Sequence, residues 1–192
     1  MTVVDGRARD GRTRRAQRNR EAITDALLAC YGDGILRPSV QEVADRAGVS
    51  ARSVHNHFDD VEALRAEVAE RQWVRCARFA GPLDRDLPVL ERIEQLVALR
   101  AALFEEVTPV RRAALLVVHE SPTIAANLGH LDRALRRQLE RAFEVDADVL
   151  DAIDAFSSWD AWNRLRHAQG CSVARARRIL TSTIHTLIEG AA

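Results

Sequence analysis

Residues 38 to 58, P-S-V-Q-E-V-A-D-R-A-G-V-S-A-R-S-V-H-N-H-F, leave the backbone little choice. Ser39 with Glu42 three positions on makes a capping box, and Pro38 can staple onto Val43, so a helix starts at a defined point. Gly48 supplies a tight turn, Ser50 caps a second short helix, and Val49 can staple to Val54. Val43, Ala44, Ala47, Val49 and Val54 then form a small shared core, closed at the far end by Phe58. The opposite face of the second helix carries nothing apolar larger than Ala51, so it must look outward.

The flanking segments follow the same logic. Ala16, Ile23, Ala26, Leu27, Cys30 and Tyr31 recur at helical spacing and predict a preceding helix, stopped by Gly32 and Gly34. Asp59, with Glu62 as box partner, is placed to cap a following helix carrying Val61, Leu64, Val68, Cys76 and Phe79, closed by Gly81-Pro82. Beyond it, Pro88, Thr108-Pro109, Ser121-Pro122, Asp146 and Gly170 to Ser172 divide the chain into five further helices. These are expected near 87–106, 109–119, 122–144, 147–167 and 173–189. In a chain of 192 residues, 47% of them hydrophobic, with nine Gly and five Pro, this predicts an all-α protein of about nine helices. Its expected domains are a flexible basic arm over 1–13, a helix-turn-helix domain over 14–60 and a helical domain over 61–192.

Formal charge is zero, from 28 basic and 28 acidic residues, but it is unevenly spread. Arg7 to Arg20 holds seven arginines against one acid, Asp10. The three cysteines, Cys30, Cys76 and Cys171, form no paired motif and suit a reducing cytoplasm. No signal-peptide pattern or membrane-length apolar run is present.

A helix-turn-helix reads DNA by placing its second helix, N-terminal residues first, in a major groove about 12 Å wide. Here that helix presents Ala51, Arg52, Ser53, His55, Asn56 and His57. Arginine pairs bidentately with guanine and Asn with adenine, so Arg52 and Asn56 are the candidate base readers, with Ala51 suited to a thymine methyl. Ser39, Ser50 and the amides opening both helices suit phosphate oxygens, as do Arg14, Arg15 and Arg18 of the basic run.

This order of residues, continued by D-D-V-E-A-L, resembles the TetR family of bacterial regulators over about residues 18 to 65, and the helical layout beyond is similar. The resemblance implies a DNA-binding transcriptional regulator, a repressor that holds a pseudo-palindromic operator as a homodimer and is released by a small-molecule effector. Two departures stand out: the family's usual phosphate-contacting Tyr and Lys are His55 and Val61 here. The resemblance also implies an effector pocket among the C-terminal helices, for which Trp73, Phe104, Arg112, His119, Asn127 and Trp159 are candidates. Another reading keeps the helix-turn-helix as scaffold in a ligand-binding or protein-interaction module.

Residues 147–167 bear Val149, Leu150, Ile153, Phe156, Trp159 and Trp162 over more than half the helix circumference. Either the helix is buried within one monomer, or it packs on two sides, one against a partner. Val149, Ile153 and Phe156, with Ile179, Ile184 and Leu187 of the last helix, are the expected dimer surface. His55 and His57 point apart at their i, i+2 spacing and cannot share a metal. Ser121 lacks a nucleophile-elbow pattern, and no phosphate loop or isolated carboxylate pair appears. No catalytic role, metal or cofactor is expected.

Overall fold

The capping signals act almost where they stand in the sequence. The computed structural model describes the backbone of residues 4–190 and the side chains of 13–190, and among these every regular element is helical. Helix α1 is Val4–Gly32, α2 Val40–Ala47, α3 Ala51–His57 and α4 Val61–Cys76, followed by a 3-10 turn, Ala77–Ala80. Helix α5 is Val89–Leu115, α6 Pro122–Ala142, α7 Ala147–Phe156, α8 Trp159–Asn163 and α9 Val173–Glu189, with a π-helical turn, Arg164–Ala168, after α8. The flexible arm expected over 1–13 falls almost wholly outside the described side chains. Its described backbone, from Val4, is already helix, since arginine and alanine favour helix and no proline interrupts them.

The chain divides into two compact units, one of residues up to Gln72 with Pro109–Asn127, the other of Trp73–Thr108 with Leu128 onward. The cuts fall inside α4, α5 and α6, so the first unit takes in more than the expected 14–60 domain.

In the first unit Ile23, Ala26, Leu27, Cys30 and Tyr31 of α1 pack with Val43, Ala44, Val54, Phe58, Leu64, Val68 and Ala113. Ala16, expected in that stripe, is exposed, because α1 runs on past the core it serves. The Ser39 hydroxyl accepts from the Glu42 amide at 3.2 Å while the Ser39 amide donates to Glu42 Oε2 at 2.8 Å, completing the capping box. Gly48 sits at φ 66° and ψ 31°, and its amide closes α2 onto Ala44 and Asp45. Helix α4 is capped by Asp60, whose Oδ1 accepts from the Ala63 amide at 2.7 Å, and not by Asp59. Glu62 is therefore free of a box and takes instead a hydrogen bond from the Ser121 hydroxyl. Ser121 Oγ in turn accepts from the Ile124 amide at 3.1 Å, starting α6 at Pro122.

The helices beyond α4 depart from expectation twice. Helix α5 passes through Pro109 where two helices were expected. A proline removes a single backbone donor, that owed to the Glu105 carbonyl, and the rest of the ladder holds. The neighbouring Thr108 hydroxyl is satisfied by donating to the Phe104 carbonyl. Conversely, the single helix expected over 147–167 breaks at Ser157, because Ser158 caps a new helix by accepting from the Ala161 amide at 3.3 Å. The core of the second unit gathers Phe79, Ile93, Leu96, Leu103, Phe104, Leu135, Leu139, Ile153, Trp162, Leu180 and Ile184. Trp162 Nε1 donates to Glu105 at 2.9 Å, and Arg166 clasps the same carboxylate at 2.9 and 3.0 Å. Those bonds from Arg166, foremost, hold the Glu105 carboxyl below the usual range.

Candidate nucleic-acid interface

Helix α3 is only seven residues long, too short to be stable unaided, so its pose is set by what anchors it. Val54 is the inward anchor, and Phe58, whose amide donates to the Val54 carbonyl at 3.0 Å, closes the C-terminal end. The Ser50 hydroxyl accepts from the Ser53 amide at 3.1 Å at the other end. With Val54 facing in, Arg52, His55 and Asn56 are exposed, while Ala51, Ser53 and His57 are half-buried. Arg52 and Asn56, four residues apart, share one face, the arrangement two base-reading side chains need.

The phosphate-contacting candidates separate by what already holds them. The Ser39 hydroxyl donates to Glu42 Oε2 at 2.8 Å, so its proton is committed and a carboxylate stands beside it, which weakens it as a phosphate donor. Ser50 keeps its hydroxyl proton, and the amide ends of α3 carry no adjacent acid in their first turn. Arg14, Arg15 and Arg18 are exposed on α1, but Arg20, counted in the same run, is half-buried and held by its own contacts. Its Nε donates to Glu67 at 2.6 Å, its Nη1 to the His57 carbonyl at 2.8 Å, and its guanidinium carbon lies 4.4 Å from the centre of the Phe58 ring. Arg20 thus ties the end of α3 to α1 and α4.

Sequence reasoning passed over Arg65. His55, Val61 and Arg65 line one cleft with Pro38 and Val40, and Arg65 stands one turn along α4 from Val61. The signal was the i, i+4 spacing, which puts a cation beside the position where Val61 offers none.

The remaining candidate residues divide between the units. Trp73, Phe104 and Trp159 belong to the second, where Trp159 Nε1 donates to Thr108 Oγ1 at 3.0 Å and the Trp73 ring meets His130 edge-on at 4.3 Å. Arg112, His119 and Asn127 belong to the first, so the six do not gather within one unit. Of the expected dimer surface, Ile153 and Ile184 are wholly buried in their own core. Phe156 is 46% exposed, and Val149, Ile179 and Leu187 are half-buried. Among the described residues no three potential metal ligands are grouped, and no helix is long and apolar enough to cross a membrane.

A capped α2, a left-handed glycine turn and a short α3 with a polar outer face define a helix-turn-helix protein. Residues 23–68 match the model of bacterial regulatory proteins of the tetR family. A TetR-family transcriptional regulator from Mesorhizobium loti has a similar fold, at TM-score 0.67 and 19% identity over 92% of this chain and 98% of that one. A transcriptional regulator from Rhodococcus sp. Rha1 gives 0.64 and 19% over 92% and 97%. The TetR-family regulator PfmR from Thermus thermophilus gives 0.58 and 19% over 89% and 98%. No curated protein matches the sequence. The chain thus carries the N-terminal domain and the all-helical fold of TetR-family transcriptional regulators.

Proposed function

We propose that this protein is a cytoplasmic, non-enzymatic repressor that binds a pseudo-palindromic operator as a homodimer and releases it when a small molecule binds the second unit. The observation that carries the reading is the outer face of α3: Arg52 and Asn56 are exposed together on a helix whose Val54 and Phe58 are fixed in a core. Arg52 reads a guanine and Asn56 an adenine, while Arg14, Arg15, Arg18, Ser50 and the α3 amides hold phosphates. His55 donates to the backbone, and Arg65 supplies the positive charge that Val61 lacks. Two such helices, brought together by Val149, Phe156, Ile179 and Leu187 of α7 and α9, meet two half-sites. Trp73, Phe104 and Trp159 are the retained candidates for the effector's surroundings.

Arg52→Ala tests the assignment. Against duplexes selected from the genome of origin it should relax preference at one position per half-site, at about 1 to 3 kcal/mol. Equal loss on every sequence would sink Arg52 as a base reader. A folded dimer that binds no duplex even at low salt would favour the scaffold reading, in which Val61 marks a helix-turn-helix no longer fitted to phosphates.

A further inference from the structure

Arg100 lies in the middle of α5, in the apolar core of the second unit, and is 1% exposed. Its neighbours one turn away on the same helix face, Leu96, Val97, Leu103 and Phe104, are all buried. A guanidinium carries five N–H donors, and the Arg100 group makes one hydrogen bond, from Nη2 to the Leu135 carbonyl of α6 at 2.9 Å. Nε and Nη1 have no partner. Most of its donor capacity is therefore open inside the core.

No carboxylate of the unit closes that fork. Asp132 of α6 and Asp154 of α7 act on Arg100 through space without a hydrogen bond, and Asp154 is engaged at 3.6 Å by the outer Arg136, which also pairs with Asp151 at 2.6 Å. One turn beyond Asp154, the Ser157 hydroxyl is likewise buried without a partner. Burial, the foremost cause, lowers the Arg100 pKa to about 10, so the group still carries its charge at neutral pH. A buried charge with open donors is expensive for folding alone, and groups perturbed in this way cluster at functional sites.

We propose that Arg100 is the anion-recognising group of a ligand site inside the second unit, and that its ligand is a monocarboxylate with an apolar body. This rests on the effector-controlled reading above and names the effector's chemistry. The planar fork matches a carboxylate in geometry and charge, and Leu103, Phe104, Leu135 and Ile153 of the same core are apolar, so the rest of the ligand must be apolar too. Ser157 adds a hydroxyl that can donate to the second carboxylate oxygen or to a substituent beside it.

The test uses the full-length protein without DNA, with octanoate as probe and 1-octanol as its uncharged match, by titration calorimetry and thermal unfolding. Octanoate should bind saturably and raise the unfolding midpoint, with octanol at least tenfold weaker. Arg100→Met should weaken octanoate by about 30-fold or more, leave octanol unchanged, and melt no lower than the parent, because an apolar side chain replaces an under-partnered charge. Arg100→Lys, which keeps the charge and loses the fork, should bind octanoate more weakly yet still prefer it to octanol. Failure of octanoate to bind, equal binding of the two probes, or undiminished binding by either variant overturns the proposal. So does a strongly destabilised Arg100→Met, which would make the guanidinium a structural tie. Because no duplex is present, these outcomes are independent of the DNA reading, which fails instead by loss of duplex binding in the unliganded protein.

Discussion

Arg20→Ala separates two roles that lie within one run of arginines. The substitution removes the ion pair with Glu67, whose side chain is 26% exposed against 40% for Arg20, and a pair this open contributes about 0.2 to 1 kcal/mol. It also removes the guanidinium stacked at 4.4 Å on Phe58, about 0.5 to 1 kcal/mol at such a site. The charged donor to the His57 carbonyl at 2.8 Å adds about 1 kcal/mol once solvent competition is allowed for. Together they predict a destabilisation of about 2 kcal/mol, read as a lower urea midpoint at unchanged slope. Loosening the end of α3 should also weaken duplex binding, but by a similar factor at every salt concentration. Arg15→Ala should do the reverse, leaving the urea midpoint in place while reducing the slope of log affinity against log salt by about 0.9 for one lost phosphate contact. If Arg20→Ala leaves stability unchanged and flattens the salt slope as Arg15→Ala does, Arg20 is an arm residue and the clamp reasoning is wrong.

Three further outcomes are expected. Gly48→Ala should cost about 1 to 2 kcal/mol in urea unfolding although an added Cβ meets nothing within 4 Å, because φ 66° alone strains an L-residue, and Gly48→Asn should cost less. Glu105 titrates below its unfolded value, so its stabilisation is present above about pH 4.5 and drains away as pH falls toward the folded value. Glu105→Gln should therefore lower the thermal midpoint at pH 7 and shrink the difference between pH 7 and pH 3. Phe156→Glu, at a site 46% exposed, should leave the circular dichroism unchanged and shift the sedimentation coefficient from dimer to monomer.

Short-range signals in the sequence are legible wherever one side chain settles one backbone group. Ser39, Gly48 and Ser50 each satisfy or bend local amides and carbonyls, and all three act as their types dictate. Where two residues compete for a single local role, the outcome depends on distant partners. Asp59 and Asp60 are equivalent in sequence, and Asp60 caps α4 while Glu62, the expected box partner, is claimed by Ser121 from far along the chain. Pro109 and Ser157 depart from expectation in opposite directions for one reason. A helix carried by a large core tolerates one missing amide, whereas two adjacent serines supply a ready cap and so break a helix whose apolar pattern continues. The wide apolar arc of 147–167 reads in sequence as a surface partly facing a partner. The break re-aims its second half, so Trp159 and Trp162 join Ile153 of the first half in the interior, and only part of the arc remains open. Arg20 and Arg100 are indistinguishable from other arginines in the sequence, because an arginine's role is set by which acids, rings and carbonyls surround it, and those lie 47 positions from Arg20 in Glu67 and 54 from Arg100 in Asp154.

All three tryptophans, Trp73, Trp159 and Trp162, fall in the second compact unit, and the first has only Tyr31 and Phe58 among its buried aromatics. The indole label is thus confined to one unit: its emission reports chiefly the unit that carries Arg100. Far-ultraviolet dichroism, weighted by helix wherever it occurs, reports both. A melt followed by the two signals together would reveal whether the units lose their structure in one cooperative step or in two.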